Sequence, residues 1–452
     1  MFTQKQIVKR FFVFLLMLWL ISGFGSQVLA RGKDPNGQIS LSKTPQKEST
    51  DGNMPVGPEY KKDSRGWMGR LFGPILKYTP QEGEVPPYTL LPKSFESWKN
   101  FKKNMEEKYG TSIGITLDDH HQQILNGPGA RKGRNIFWWN LTLKQRLWEG
   151  GKLIFKARGS VPDNQPPNGI TPLVGTKLNL DWAAYETAWF YVANVYLEQK
   201  LLNDKLLIAL GKLNFPEYFD ENKVAGWDFF SHSLAKSQAF PHRYHTIGAL
   251  GRYDLSDRLY VQAGISDAQG IRSETGFNTA FYGESYFITM GEVGVKTKNS
   301  KGLEGNYRFD LWYDPQPLKR HLGGPQRDTI GYGISFDQML SEKVGAFLRY
   351  GWDDGRVRKF SNYWSLGGTW TGPLSTRDKD VLGFGFGQGI THHDYQEAQS
   401  ATHTESIFEV YYKIYVTEWC SLTLDLQTLL NPGTNNHNDT AVIPGFRVKM
   451  VF

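Results

Sequence analysis

The residues best equipped for chemistry cluster between Asn214 and Arg243, in NFPEYFDENKVAGWDFFSHSLAKSQAFPHR. Tyr218, Phe219, Trp227, Phe229 and Phe230 offer ring faces that can stack on an apolar C–H face. Glu217, Asp220, Glu221, Asn222 and Lys223 can donate or accept hydrogen bonds. That set suits weak, repeated contact with a hydroxylated solute rather than bond breaking. The same composition also suits an external loop folded on itself, with the aromatics as its own small core. Other constellations are poorer. Asp353-Asp354 and the acidic pairs of the same segment resemble a glycosidase dyad. With 45 acidic residues in the chain, however, such pairs arise by chance. His392-His393 with Asp394, and His242 with His245, lack a further spaced ligand and read as solvated loop histidines. GFGFGQG, residues 383–389, lacks the Lys-Ser/Thr ending of a phosphate loop. No Gly-x-Ser-x-Gly elbow is present. No catalytic residue, metal or cofactor is expected, and the chain does not read as an enzyme.

The elements that must hold these residues are strands. From Thr111 onward apolar and polar residues alternate with period two, which puts them on opposite faces of a sheet. Tyr307, Phe309, Leu311 and Tyr313 share one face, and Asn306, Arg308, Asp310, Trp312 and Asp314 the other. The same split recurs at Leu259–Ser266, Val344–Asp353, Leu382–Gly387 and Ser421–Gln427. The chain has 14 Trp, 22 Tyr and 28 Phe, many at the ends of the apolar stripes. Mean hydropathy is −0.47, and no repeated apolar run of about 20 residues supports a polytopic helical membrane protein. A barrel hides its apolar character in alternation, so these values fit a transmembrane barrel.

About sixteen strands are expected, beginning near Ser112, Asn135, Lys152, Ala188, Lys205, Tyr244, Arg258, Glu284, Leu303, Asp328, Val344, Asn362, Lys379, Glu405, Cys420 and Ala441. Links after even strands are tight, such as Asn203-Asp204. Links after odd strands are long and rich in Gly, Pro and Asn, starting with Asp118 to Arg134. Short turns at one rim and long loops at the other is the outer-membrane pattern.

The ends of the chain carry further signals. Lys5, Lys9 and Arg10 precede the apolar run Phe11–Ile21, and Val28-Leu29-Ala30 gives small residues at a cleavage site, so residues 1–30 read as a signal peptide. Residues 31–92, with a composition rich in Lys, Pro, Gly and Ser, read as a flexible periplasmic leader. Residues 93–110 read as one helical segment, with Ser94 as its cap and Gly110 as its stop. Residues 111–452 are expected to be the barrel, with Phe452 as a terminal aromatic assembly signal for the outer-membrane insertion machinery. Cys420 is the only cysteine, so stability has to come from pairing and packing. The formal net charge of +7 contains no basic run that would suggest nucleic acid.

Three stretches resemble a known family. They are VANVYLEQKLLNDKLLIALGKLNFPEYFD (192–220), LGRYDLSDRLYVQAGISDAQG (250–270) and YYKIYVTEWCSLTLDLQTLLNPG (411–433). They resemble the carbohydrate-selective porins of Gram-negative outer membranes, the OprB family. The resemblance implies a sixteen-stranded barrel that passes small sugars such as glucose by facilitated diffusion, as a monomer or a homotrimer. A general or anion-preferring diffusion pore is the alternative. By the same resemblance, loop 214–243 folds inward as a constriction, with Glu217, Asp220, Glu221, Asn222 and Trp227 toward the solute. The phase of each strand sends Arg158, Asn194, Glu198, Arg308, Asp310, Trp312, Arg349, Asp353 and Asp425 to the lumen, where a charge avoids lipid. Arg308 and Arg349 stand out there, because a guanidinium donates to two oxygens at once. Asp220, Glu221 and Trp227 are expected to face the pore and meet such arginines.

Overall fold

The computed structural model describes residues 92–162, 169–181 and 188–452. The expected signal peptide and nearly all of the leader lie outside the described residues. A helix, Pro92–Asn104, widens into a single π-turn, Met105–Tyr109, and stops at Gly110 in the left-handed conformation (φ 68°). Ser94 therefore lies within the helix rather than at its start.

Sixteen antiparallel strands follow and close into one barrel. The first four are β1 (Thr111–Gln123), β2 (Gly133–Trp148), β3 (Gly151–Pro162) and β4 (Tyr191–Leu201). Then come β5 (Leu206–Leu213), β6 (Thr246–Asp254), β7 (Leu259–Asp267) and β8 (Phe287–Lys298). The third group is β9 (Glu304–Leu318), β10 (Arg327–Met339), β11 (Val344–Trp352) and β12 (Asn362–Thr371). The last is β13 (Val381–Ile390), β14 (Thr404–Tyr415), β15 (Cys420–Leu430) and β16 (Ala441–Val451). Each strand pairs with its sequence neighbours, and β1 pairs with β16 from Thr116↔Val451 to Gln122↔Gly445. The Phe452 and Ile115 backbones exchange both hydrogen bonds at that seam, at 2.8 and 3.1 Å. Closure leaves no sheet edge unpaired.

The alternation produces an inverted core. On β9, Tyr307, Phe309, Leu311 and Tyr313 are exposed, while Arg308, Asp310, Trp312 and Asp314 are buried inside. The exposed apolar face is the lipid belt. The buried polar face is a lumen wall covered by loops. Trp419 stacks on Phe452 at 5.5 Å, and Tyr332 on Trp352 at 5.7 Å, in the belt's aromatic margins. No helix among the described residues is long and apolar enough to cross a membrane.

Two boundaries differ from the sequence reading. β1 does not end at Asp118 but runs to Gln123, through the polar run DDHHQQ. Its inward members find partners inside: Asp118 is held by Arg447 at 2.5 Å, and Trp138 donates to His120 Nε2 at 3.1 Å. The β12–β13 link spans residues 372–380 and is longer than a tight turn. It is closed by the Arg377–Asp380 pair at 2.8 Å.

Candidate functional site: the pore constriction

β5 delivers the chain into a loop, 214–245, that turns into the barrel. A 3₁₀ turn, Phe215–Glu217, starts it, with Pro216 fixing the backbone. Phe215 and Phe219 are fully buried, with ring centres 6.5 Å apart. They rest on β6 and β7 where glycine leaves room. A Cβ on Gly248 would come within 2.6 Å of the Phe215 ring, and one on Gly264 within 3.0 Å of Phe219.

From there the loop follows the inner wall round toward β16. Asp220 pairs with Arg349 of β11 at 3.1 Å, and both side chains are buried. The same guanidinium donates to the Leu234 carbonyl at 2.8 Å and the Asp220 carbonyl at 3.2 Å. The Ser237 amide donates to the Asp220 carboxylate at 2.7 Å, so one residue ties the outgoing and returning limbs. Lys236 adds a staple, donating to the carbonyls of Pro216 and Asp220 at 2.8 Å each. Burial pushes its ammonium down to about 8, with Asp220 acting against that. Farther on, Asp228 pairs with Lys413 of β14 at 2.9 Å. The Phe230 and Ser231 amides donate to Glu409 of β14 at 2.7 and 2.9 Å. Arg447 of β16 donates to the Trp227 carbonyl at 2.7 Å. On the return, Phe240 packs on Trp312 with ring centres 5.0 Å apart, and Arg243 pairs with Asp314 at 3.3 Å.

The glycine run of β13 explains how the loop fits. A Cβ on Gly385 would touch Leu234 at 3.0 Å and Phe229 at 3.1 Å, and one on Gly387 would touch Leu234 at 3.2 Å. A second infolded segment was not anticipated from sequence. Residues 169–181, within the β3–β4 link, also enter the lumen. Thr176 donates to Glu405 of β14 at 2.7 Å, Gln427 of β15 donates to the Leu180 carbonyl at 3.1 Å, and Ser231 donates to the Asn179 carbonyl at 2.8 Å. A fixed inner segment needs acceptors aimed at wall donors, and nothing in the local pattern of 169–181 marks them.

The expected site residues therefore divide into anchors and exposed groups. Asp220, Arg308 and Arg349 are anchors. Arg308 spends its guanidinium on Asp337 at 2.7 Å, and Arg349 is fully covered by the loop. Asp220 meets Arg349 as expected, but it is buried rather than turned to the pore, and each of these charges needs its partner. Asn222 is an anchor too. Its amide donates to Ser335 at 3.2 Å and to the Phe336 carbonyl at 3.0 Å, and it accepts from the Val224 and Ala225 amides. Asp310 is buried beside Glu292, its cross-strand partner on β8. Of the other wall residues, Trp312 donates to Asp353 at 3.2 Å, Asn194 lies beside His245, and Asp425 is buried.

The exposed groups are Glu217, Glu221 and Trp227 on the loop, with Trp227 43% exposed. Among the described residues, part of the β2–β4 wall keeps exposed side chains, although Trp138, Asn140, Ile154, Asn194 and Tyr196 on it are buried. Lys144 and Lys152 are exposed there, and Lys156, Arg158 and Glu198 are half-buried. Lys156 bridges to Glu217 at 3.1 Å, and the Arg158 guanidinium lies 4.9 Å over the Trp138 ring. The two loop acids behave differently. At Glu217, burial acts upward, but Lys156, the Asn214 hydrogen bond and Arg158 outweigh it and lower the carboxyl. At Glu221, which is open to the lumen but enclosed within the barrel, desolvation dominates and raises it, with Lys236 and Arg308 opposing.

The histidines are placed apart from this gap. His392 and His393 both meet Asp394, at 3.3 and 2.7 Å, in an outer loop. The structure thus supplies Asp394 as a shared partner, already engaged by both rings. His242 is directed to the Ser237 carbonyl and His245 to Asn194, so this pair does not converge.

A narrowed, closed sixteen-strand barrel is the architecture of outer-membrane channels. Residues 101–452 match the family described as "Carbohydrate-selective porin, OprB family". Porin AaxA of Chlamydia abortus is 22% identical over 384 residues, covering 84% of this chain and 79% of that protein. Porin B of Pseudomonas aeruginosa is 24% identical over 243 residues, covering 44% of this chain and 54% of that protein. Among solved structures, the high-pH structure of Pseudomonas putida OprB superposes with a TM-score of 0.70 at 18% identity, covering 79% of this chain and 97% of that one. The chain accordingly belongs to the carbohydrate-selective porins of the OprB family, channel proteins of the Gram-negative outer membrane.

Proposed function

We propose that this porin passes monosaccharides such as glucose by facilitated diffusion. The route is the gap between the exposed loop edge, Glu217, Glu221 and Trp227, and the exposed basic part of the β2–β4 wall. One observation carries the reading: loop 214–245 is held against the wall by the buried Asp220–Arg349 pair and the half-buried Asp228–Lys413 pair, which leaves a stacking ring and two carboxylates exposed at its edge. A sugar presents apolar C–H faces to Trp227 and hydroxyls to acids and ammonium groups in turn. Such contacts are weak and serial, which permits throughput as well as preference. The test is a planar-bilayer glucose titration of ion current. Trp227→Ala is expected to weaken glucose block by about 1 kcal/mol of stacking, roughly fivefold, with conductance little changed. Equal block in wild type and variant would remove Trp227 from the path.

A second reading, a general anion-preferring pore, is favoured by Lys144, Lys152, Lys156 and Arg158 on that wall. Reversal potentials under a salt gradient separate the two. Strong anion preference without sugar block supports the second.

A further inference from the structure

Part of the β7–β8 link, residues 268–286, folds over the outside of the barrel. Outward-facing residues of three adjacent strands hold it there. On β5, Lys212 shares a face with Ile208 and Leu210 of the lipid belt and lies opposite Val195 and Ile247. Its ammonium donates to the carbonyls of Val192 and Arg272 at 2.8 Å, and to that of Glu274. On β6, Ile247 is the surface on which Gly276 sits, where an added Cβ would meet it at 3.2 Å. On β7, Asp267, in phase with lipid-facing Ile265, accepts from Thr279 Oγ1 at 2.5 Å. Lys212 is thus roofed by backbone carbonyls, which removes the cost of an ammonium on a lipid-facing wall.

The roof itself is apolar on its outer side. The one-turn helix Phe277–Phe281 and its neighbour leave Phe277 57%, Phe281 61% and Tyr282 72% exposed. The two phenylalanine rings lie 5.9 Å apart and form one patch. The loop carrying it rests on the same β5–β7 wall whose outward face, Leu210 and Ile265, is the lipid belt.

We propose that this loop is an outward-turned membrane anchor, in which Phe277, Phe281 and Tyr282 enter the headgroup–acyl boundary of the outer leaflet. The patch continues the belt that already faces lipid, and aromatic rings are the side chains that this boundary favours. Lys212 holds only part of the loop outside, since Arg272 reaches inward over the Tyr244 ring at 4.4 Å.

The test uses the full chain with Cys420→Ser, reconstituted in phosphatidylcholine vesicles. A nitrobenzoxadiazole probe is placed at Phe281→Cys and, separately, at Tyr282→Cys. Leu210→Cys is the lipid-facing control, and Asn436→Cys, on an exposed outer loop, is the aqueous one. Because Cys420 is buried, the same labels serve with it retained if Cys420→Ser does not fold. The expected result is blue-shifted emission at both sites and at least about twofold quenching by doxyl-labelled lipid, as for Leu210. Emission like that of Asn436 with no doxyl quenching would overturn the proposal. So would blue-shifted emission that ignores doxyl lipid and self-quenches as the protein-to-lipid ratio rises, since a second copy would then cover the patch.

Discussion

Removing Arg349 is the sharpest perturbation of the constriction. In Arg349→Ala, the buried Asp220 carboxylate loses its guanidinium at 3.1 Å, and the Leu234 and Asp220 carbonyls lose their donor. Breaking a buried ion pair from one side costs about 3–5 kcal/mol. The Ser237 amide still donates to Asp220 at 2.7 Å, which places the cost near the lower end, about 3 kcal/mol. That raises the population of a detached loop roughly a hundredfold. Complete detachment is not expected, because Glu409, Lys413 and the Phe229–Leu234 packing on Gly385 still hold the far limb. Single-channel recordings should therefore show brief excursions to higher conductance on an unchanged main level, and sugar block should weaken during them. Asp220→Asn should be milder, since Arg349 keeps both carbonyls and an amide oxygen. In a double-mutant cycle the pair should couple by at least about 1 kcal/mol. A quiet Arg349→Ala channel with wild-type conductance, and no coupling to Asp220, would refute the anchoring argument.

Three further outcomes follow from the same geometry. Gly385→Val should press on Leu234 and Phe229, cost about 1–3 kcal/mol by overpacking, and raise current noise; a silent variant would mean that the loop does not need this glycine. Glu221 has a raised carboxyl and Glu217 a lowered one, so acidification should neutralise Glu221 first. Cation preference, read from reversal potentials, should thus begin to fall above the ordinary carboxylate range, and Glu221→Gln should abolish that early step. Deleting Phe452 removes the Trp419 stack and the backbone exchange with Ile115; outer-membrane levels should drop while the conductance of inserted molecules stays the same, and unchanged levels would make Phe452 an ordinary strand end.

The strands were legible in the sequence because their cause is local. Lipid on one face and lumen on the other impose a period of two on each segment separately, so Leu311 declares its environment without reference to the rest of the chain. Every expected strand start lies within three residues of the observed one. The parity of short and long links follows from the same antiparallel course. β1 beyond Asp118 escaped detection because its pattern there is polar on both faces, and only Arg447 and Trp138, brought alongside by closure, make that run a strand.

Loop 214–245 was visible as a set of functional groups, but the sequence could not divide them into anchors and exposed groups. Asp220 and Glu221 are adjacent acids of equal chemistry. One is buried against Arg349, 129 residues along the chain, and the other stays exposed. The strand phase sends Arg349 inward but says nothing about what lies across the lumen. The second infolded segment, 169–181, is decided in the same way by Glu405 and Gln427 on remote strands. Sequence alone determined which face of each strand meets lipid, since that depends on alternation within a few residues. Only the closed tertiary structure decided which lumen charges neutralise one another and which remain exposed, because those pairings form between segments that meet when the barrel shuts.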